Sequence, residues 1–298
     1  MNKLSMSVIT PSYNQGEFIE QTIRSVLDQN IEGLQYLVVD GGSSDQTLEV
    51  LKKYQGQITW SSAKDGGQAQ AVNKGLKMAT GEIIGWLNSD DLYAPQALKQ
   101  VSTFFEENPY VDFVYGKTQH IDSQGKNLDF YLTEPWNLER LKECCFISQP
   151  ATFFRRSVFE KYGLLNEKLN LCLDYEFWLR SALRGAKFAY LPTILAASRI
   201  HAATKSSRCF LESHFETINM LQETLGYIPS EWVVNYSTAK VKESSCFKYP
   251  HPAFFMASWR NLWHTAGLYN HGIARIRVWL AAQKVITKKL LAKLAHSL

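Results

Sequence analysis

The sequence has no acidic residue after Glu243, although acidic residues are common before it. All 28 Asp and Glu of the 298-residue chain lie in the first 243 residues, together with 24 of its 32 Lys and Arg. The remaining 55 residues carry eight basic side chains. The overall net charge of +4 is therefore the average of a part with net charge −4 and a part with net charge +8. Such a basic end favours an anionic partner.

Disulfide, secretion and membrane-spanning patterns are also missing. Five cysteines, an odd number without a Cys-x-x-Cys spacing, do not form a disulfide scaffold or a metal-binding knuckle. No apolar run approaches the roughly 18 residues that would span a bilayer, and the N-terminus lacks the apolar stretch of a signal peptide. We therefore expect free thiols in a reducing compartment, and a cytoplasmic protein that is either free or peripheral on the cytoplasmic membrane face.

The composition is that of an ordinary folded protein. Hydrophobic residues make up 45% of the chain and charged residues 20%, which excludes a disordered or low-complexity protein. A chain of this length forms one large α/β domain or a domain with an appendage.

The first hundred residues alternate between short apolar runs and segments with helical periodicity. The apolar runs predict strands at 6–10, 36–39, 58–60 and 83–87, and the periodic segments predict helices at 17–29, 48–54 and 68–79. Consecutive βα units imply a mainly parallel sheet with helices on both faces, which is a three-layer α/β domain.

The pattern changes after about residue 110. Short strands, a hairpin turning at 122–125, a helix at 174–183 and a strand at 188–191 indicate an α+β half of the same domain. Beyond residue 206 the chain is mostly helical. We predict a domain over 1–204, with halves at about 1–109 and about 110–204, and a helical C-terminal segment over 205–298.

Polar segments follow each of the predicted parallel strands. Ligands of open α/β sheets bind outside the carboxyl ends of the strands, so these segments should meet at one binding rim. They are Thr10-Pro-Ser-Tyr-Asn14, Asp40-Gly-Gly42, Lys64-Asp-Gly-Gly67 and Asn88-Ser-Asp-Asp91.

The adjacent carboxylates Asp90 and Asp91 are the candidate metal ligands at this rim. A divalent cation such as Mg²⁺ or Mn²⁺ prefers carboxylate oxygens and completes its shell with water and phosphate oxygens, which suggests a diphosphate ligand. The alternative is that both residues cap a helix that begins near Pro95.

The motifs, taken in order, resemble the family-2 glycosyltransferases over roughly residues 5–205. The resemblance rests on the four rim segments above and on Asn73-Lys-Gly75, Thr80-Gly-Glu-Ile-Ile84, Gln149-Pro-Ala-Thr-Phe-Phe-Arg155, Asp174-Tyr-Glu-Phe-Trp-Leu-Arg180 and Arg199-Ile-His201. It implies a GT-A type nucleotide-binding fold and the inverting transfer of a sugar from a nucleoside-diphosphate sugar, with UDP as the expected nucleotide. It also implies a divalent metal, Mn²⁺ or Mg²⁺, and an acceptor hydroxyl on a glycan, a cell-surface polysaccharide or a lipid-linked saccharide.

The resemblance also implies roles for individual residues. Asp174 matches the base that takes the acceptor proton, and the metal would be bound by Asp90, Asp91 and His201. Contacts to the nucleotide sugar are implied for Thr10, Pro11, Tyr13, Asp40, Asp65, Gln68, Asn73, Lys74, Asn88 and Ser89. Asn88 departs from the family, which often has Asp there, and this leaves fewer carboxylates for the metal.

The residues alone leave other interpretations open. Asp174 could be no more than a helix N-cap, and a single histidine such as His201 is often structural. A nucleotidyltransferase is the enzymatic alternative, but it would be expected to carry basic residues in the first loop, and residues 10–16 have none. A non-catalytic nucleotide-sugar-binding protein is the alternative outside enzymes.

The basic end predicts an amphipathic helix over 273–298. Such a helix beside Trp279 suits an anionic membrane surface, where each basic residue contributes on the order of 1 kcal/mol. Helical spacing separates the apolar and basic sets only partly, so a helix packed on the protein with a solvated basic face is the alternative. No nucleic-acid-binding signature is present, so a nucleic-acid partner is not expected.

Overall fold

A computed structural model of the chain describes residues 4–201, 204–244, 260–267, 279–281 and 283–284. The chain divides into two units. The first consists of Met1–Leu138 and Cys145–Thr204, and the second of Glu139–Cys144 and Lys205–Leu298. The assignment of separate nucleotide-sugar and acceptor halves within the first unit stays a prediction.

One nine-stranded sheet forms the centre of the first unit. Its spatial order is β3-β2-β1-β4-β8-β6-β9-β5, and β7 pairs with β6 outside this path. The first four strands in this order are parallel, whereas β8 runs antiparallel between β4 and β6. The predicted α/β class and its parallel βα units are confirmed. The strands are β1 (Met6–Ser12), β2 (Gln35–Asp40), β3 (Thr59–Ser62), β4 (Ile83–Trp86), β5 (Leu92–Tyr93), β6 (Phe113–Ile121), β7 (Asn127–Phe130), β8 (Thr152–Arg155) and β9 (Phe188–Arg199).

The helices of the first hundred residues follow the predicted order, and further helices come after them. A 3₁₀ turn at Gln149–Ala151 precedes β8. The helices are α1 (Ile19–Leu27), α2 (Thr47–Lys53), α3 (Gln68–Met78), α4 (Ala97–Glu107), α5 (Leu138–Glu143), α6 (Ser157–Tyr162), α7 (Leu173–Leu183), α8 (Lys205–Arg208), α9 (Phe210–Leu225) and α10 (Ser230–Ser244). Helix α4 is the helix expected near Pro95, but its N-cap residue is Gln96, so neither Asp90 nor Asp91 caps it. The two-residue strand β5 was not predicted.

Helices cover both faces of the sheet because successive strand side chains point to opposite sides. Val8 belongs to a buried cluster with Ile23 and Val26 of α1. On the other face, a Cβ atom at Gly75 of α3 would collide with the Ile9 side chain, so α3 lies directly on β1. Each fully buried Val or Ile side chain contributes about 1.5–3 kcal/mol, so both faces contribute strongly to stability. This is the predicted three-layer arrangement.

Strand β9 is longer than the sequence predicts because a bulge interrupts its pairing without ending it. Tyr115 of β6 pairs with Tyr190, and Lys117 pairs with Ile194, so three residues of β9 face a single residue of β6. The bulge contains Pro192, which has no N–H for a ladder hydrogen bond. The strand therefore continues to Arg199, two residues before His201.

The second unit is helical, as predicted, in the part that the structure describes. A buried cluster joins α9, α10 and helical residues 260–267, and it includes Ile218, Val233 and Leu262. None of the helices in the described residues is long and apolar enough to cross a membrane. The predicted helix over 273–298 falls outside the described residues, apart from 279–281 and 283–284, which are helical.

Candidate active site

The loops that follow β1 and β2 are joined by hydrogen bonds from main-chain amides to polar side chains. The Asn14 amide donates to Ser43 Oγ (2.8 Å), and the Gly16 amide donates to Asp45 Oδ2 (2.9 Å). In return the Ser44 amide donates to Asn14 Oδ1 (2.9 Å). Asn14 has a φ of 52°, a left-handed conformation that Asn tolerates better than most residues. The two loops therefore form one fixed edge of the rim.

The carboxylate of Asp40, at the end of β2, is buried and surrounded by donors. It accepts hydrogen bonds from the Gly42 amide (3.0 Å), the Ser43 amide (2.9 Å), Ser43 Oγ (2.5 Å) and Ser62 Oγ (2.6 Å). An ionised carboxylate can accept about four hydrogen bonds, so these four donors occupy all of its acceptor positions. A hydrogen bond from a nucleobase, which the resemblance implies, would compete with them.

Of the predicted contacts at the end of β1, only Tyr13 is open to solvent. Thr10 is buried, with its hydroxyl 3.1 Å from Tyr36 Oη, and Pro11 is buried beside it. Tyr13 is 63% exposed. An exposed aromatic ring at a polar rim offers a flat face for another ring to stack on.

The loop after β3 contacts the loop after β2 on one side and the loop after β4 on the other. Asp65 Oδ1 accepts the Gly67 amide (2.9 Å), and the same carboxylate lies against Gly41 in the loop after β2. On the other side, Gln68 Nε2 donates to Asn88 Oδ1 (2.7 Å) after β4. The four loops predicted to converge therefore do meet.

Asn88 is the centre of a hydrogen-bond network that also includes the Asp91 carboxylate, 3.4 Å from its Nδ2. Its Oδ1 accepts from Gln68 and from Trp86 Nε1 (3.1 Å), and its Nδ2 donates to Gln149 Oε1 (2.8 Å). An aspartate at this position could not donate to Gln149. The amide that departs from the family pattern is therefore the group this network requires. Gln149 was not among the predicted site residues.

Asn73 and Lys74, adjacent in α3, differ in environment. Asn73 is buried, and its amide pairs with both main-chain groups of Leu165 (2.9 Å each) and with Glu167 Oε1 (2.9 Å). Lys74 is exposed and donates to Ser61 Oγ (3.0 Å). Asn73 thus holds the loop before α7, and only Lys74 is accessible to a ligand.

Asp90 and His201 face each other at the end of β4 and just beyond β9. Asp90 Oδ2 and His201 Nε2 are 3.1 Å apart, and the two side chains are 19% and 10% exposed. Neighbouring Ser89 is buried, and its carbonyl accepts a hydrogen bond from Thr22 Oγ1 (2.9 Å).

Asp91 lies in the wall behind this pair. It is buried, and its Oδ1 accepts the Arg199 amide (3.0 Å). Burial and the neighbouring charge of Asp90 raise the pKa of Asp91. The two adjacent carboxylates therefore occupy different environments, which the sequence does not distinguish.

The Asp90–His201 pair fits a divalent cation. Two ligands at right angles on an octahedral ion, each bonded at about 2.1 Å, stand about 3 Å apart, which matches the observed separation. Mn²⁺ accepts both a carboxylate oxygen and an imidazole nitrogen. The described residues contain no group of three or more His, Cys, Asp or Glu arranged for a metal. Two protein ligands leave positions for phosphate oxygens and water.

Asp174 is in the first turn of α7 and keeps partial access to solvent. Burial raises the pKa of its carboxyl to about 6, although hydrogen bonds from the Tyr175 amide and its own amide act in the opposite direction. Cys172 is the N-cap residue of α7, so the alternative that Asp174 is only the N-cap is wrong.

Helix α7 is fixed to the preceding segment by Arg180, which also pairs with Glu176 of the same helix. Arg180 Nε and Nη2 lie 2.6 and 3.1 Å from the two carboxylate oxygens of Glu176. The same guanidinium donates to the carbonyls of Tyr162 and Leu164 (2.8 Å for Leu164). Asp174 therefore stands on a helix whose position is set independently of any ligand.

Arg199 is the principal residue of the site that was not predicted. It is 1% exposed, and its side chain reaches the main chain at Asp90. The sequence signal for it is a charged residue inside the apolar run before His201. Such a residue is seldom buried unless it is paired.

Comparison with known proteins gives the family of the first unit. The model of "Glycosyl transferase family 2" matches residues 7–163, which is just over half of the chain. An uncharacterized glycosyltransferase of Rickettsia felis is 30% identical over 231 residues, covering 72% of this chain and 37% of the relative. The chain thus spans well under half the length of that relative.

Solved structures share the fold. Residues 1–349 of S. aureus TarS in complex with UDP-GlcNAc superpose with a TM-score of 0.64 at 19% identity, covering 89% of this chain and 82% of the other. Mannosyltransferase PcManGT from Pyrobaculum calidifontis, in complex with GDP-Man and Mn²⁺, gives a TM-score of 0.57 at 16% identity, covering 96% and 81%. At these identities the likeness shows the fold alone. The predicted GT-A type fold is confirmed.

Proposed function

Because the chain belongs to glycosyl transferase family 2, we propose that it transfers a sugar from a nucleoside-diphosphate sugar to a hydroxyl group, with inversion at the anomeric carbon. The observation that carries the proposal is the Asp90–His201 pair, 3.1 Å apart at the carboxyl ends of the parallel strands. In open α/β sheets this edge is where nucleotide ligands bind. Family membership argues against the nucleotidyltransferase alternative.

The donor is proposed to be a UDP-sugar. TarS, the first of the structural neighbours above, was solved with UDP-GlcNAc, whereas PcManGT was solved with GDP-Man, so the fold accommodates either base. The exposed Tyr13 ring would stack on the base. The accessible Lys74 ammonium would lie near the base, because it donates to Ser61, which adjoins the Asp40 donor Ser62. The other residues proposed for the donor site form the walls of its pocket. They are Thr10, Pro11, Asp40, Asp65, Gln68, Asn73, Asn88 and Ser89.

Asp90 and His201 are proposed to hold the divalent cation, Mn²⁺ or Mg²⁺, with Asp91 supporting them from behind. A bound cation would stabilise the negative charge that develops on the leaving diphosphate. The residues supply one carboxylate oxygen and one imidazole nitrogen. Both remain partly exposed, as ligands that must meet a substrate need to be.

Asp174 is proposed to be the general base. Inverting displacement requires a group that takes the proton from the acceptor hydroxyl as the oxygen attacks. With a pKa of about 6, Asp174 is ionised at neutral pH and still basic enough to accept that proton at Oδ1 or Oδ2. Its helix is held by the hydrogen bonds from Arg180 to the carbonyls of Tyr162 and Leu164, so the carboxylate needs little rearrangement before reaction.

The donor assignment predicts selective, metal-dependent thermal stabilisation. In a panel of UDP-, GDP-, ADP- and dTDP-sugars, we expect one UDP-sugar to raise Tm by roughly 5 °C or more with Mn²⁺, because a ligand at 100 times its Kd adds about 2.7 kcal/mol. The same sugar with EDTA should give a much smaller shift. Equal shifts with every nucleotide, or none at millimolar concentrations, would rule out a specific donor site.

The acceptor is proposed to be a glycan, a cell-surface polysaccharide or a lipid-linked saccharide at the cytoplasmic membrane face. The support is the charge distribution, because eight basic residues without an acidic one follow Glu243. Cationic segments of this kind bind anionic lipid surfaces.

Deletion of residues 273–298 should abolish sedimentation with vesicles that contain anionic lipid. The full chain should sediment with them at low salt and be released at high salt, because surface charges are screened. Zwitterionic vesicles are the control. Donor-dependent thermal stabilisation should survive the deletion, and equal sedimentation of the truncated protein would contradict the proposal.

A further inference from the structure

We propose that Arg199 is a positioning residue that sets the separation of Asp90 and His201. This inference rests on the proposed function of that pair as the metal site. It assigns a role to a side chain that would not touch the metal or the substrate.

The guanidinium of Arg199 joins three segments of the first unit. Its Nε donates to the Asp90 carbonyl (3.0 Å), and its Nη1 donates to the carbonyls of Asp122 and Ser123 (3.1 and 3.0 Å) in the turn between β6 and β7. Its Nη2 donates to Gln21 Oε1 of α1 (2.8 Å). All four acceptors are neutral oxygens, so the side chain acts as a cross-link between segments.

A second series of contacts extends from Arg199 to His201. The guanidinium carbon lies 4.8 Å from the centre of the Phe18 ring, and that ring lies 4.7 Å from the imidazole of His201. Through its main chain, Arg199 also donates to Asp91 Oδ1 and accepts from Thr204 Oγ1 (3.3 Å). One residue therefore constrains the main chain of one proposed ligand and, through Phe18, the ring of the other.

Lysine could not replace these contacts. A guanidinium presents five N–H donors in a rigid plane and stacks on an aromatic ring, whereas an ammonium group is compact and strongly hydrated. With Lys at this position, the four acceptor oxygens would lose the donor group that links them. The Asp90 main chain and the Phe18 ring could then shift, and the Asp90–His201 separation would no longer be fixed.

Arg155 offers a matched control in the same unit. It also donates to three main-chain carbonyls, those of Val111 (2.9 Å), Phe105 (2.8 Å) and Asn108 (3.3 Å), and it lies over the Phe105 ring at 5.0 Å. Its β-sheet partner is Ile83, at the opposite end of β4 from Asp90. A Lys substitution there disturbs an equivalent structural cross-link without touching the proposed metal site.

The test is UDP binding measured calorimetrically as a function of Mn²⁺ concentration. We expect Arg199→Lys to raise the Mn²⁺ concentration for half-maximal UDP affinity at least tenfold, to leave metal-free UDP affinity unchanged, and to be rescued by excess Mn²⁺. Arg155→Lys should leave the Mn²⁺ titration unchanged. An unchanged titration for Arg199→Lys, or an equal shift for both variants, would overturn the inference.

Two further variants distinguish a failure of the positioning role from a failure of the proposed metal site. If Arg199→Lys does not fold, Gln21→Ala removes one acceptor of the guanidinium at an exposed position. It should raise the half-maximal Mn²⁺ concentration about threefold, and the absence of a shift would overturn the inference. If Asp90→Ala also leaves the titration unchanged, the proposed metal site itself fails. If Asp90→Ala changes the titration and Arg199→Lys does not, only the positioning role fails.

Discussion

Replacing Asp174 by Asn is expected to lower the transfer rate by about 10²–10⁴-fold while leaving Mn²⁺-dependent donor binding unchanged. The amide keeps the shape of the side chain and its place in the first turn of α7, but it cannot take a proton from the acceptor hydroxyl. The measurements are single-turnover transfer to an acceptor and donor affinity by calorimetry. A loss of transfer with preserved binding is the result expected of a base, and it also excludes a non-catalytic binding protein.

The pH dependence of the wild-type rate checks the same residue independently. Burial raises the pKa of Asp174 from its ordinary value of 3.8 to about 6, so the rate should fall as the pH is lowered through about 6. An acid whose pKa is raised on folding stabilises the folded state while it is protonated. That contribution is present below pH 3.8 and is lost as the pH rises through about 6. Above pH 6 the Asn variant should therefore have a Tm equal to or higher than the wild type.

The matched control for this substitution is Asp28→Asn. Asp28 follows α1 as its C-cap and is exposed, so the same change of charge should leave transfer close to the wild-type rate. Undiminished turnover by Asp174→Asn would remove Asp174 as the base. Loss of donor binding together with transfer would indicate that Asp174 shapes the donor site.

The binding rim could be predicted because it follows from short, local sequence patterns. Each parallel strand reads as an apolar run and each loop after it as a polar segment, and parallel strands place those segments at one edge. Packing partners that are distant in sequence could not be predicted in this way. Nothing near Asn73 indicates that its amide pairs with Leu165, 92 residues away, and nothing near Asp40 indicates that Ser62 donates to it.

The sequence also does not show which of two adjacent side chains is buried and which faces the site. Asp90 and Asp91 are adjacent acids with the same nominal role, yet one faces His201 and the other is buried against the Arg199 main chain. The choice between them depends on where β9 runs. Strand β9 reaches this point only because its bulge around Pro192 lets the pairing with β6 resume.

Asp90→Ala is expected to abolish the gain in UDP affinity that Mn²⁺ provides, which should be at least tenfold in the wild type. Among the described residues, Asp90 provides the carboxylate that faces His201, and its replacement by alanine leaves only the imidazole nitrogen of the pair. A lone imidazole holds a hard divalent cation weakly, because such cations prefer oxygen ligands. Transfer should fall with the loss of metal-dependent binding, whereas UDP affinity measured in EDTA should stay the same.

Asp91→Asn tests whether Asp91 is itself a metal ligand or only lines the wall of the site. The variant removes the charge of the neighbouring acid but keeps an oxygen that can accept the hydrogen bond of the Arg199 amide. We expect this variant to keep the Mn²⁺ response of UDP binding. If both variants lose the response, both carboxylates contribute to the metal site, and the buried position of Asp91 must open when the donor binds. If Asp91→Asn loses it and Asp90→Ala keeps it, the assignment is reversed, and the 3.1 Å contact of Asp90 with His201 is a structural hydrogen bond.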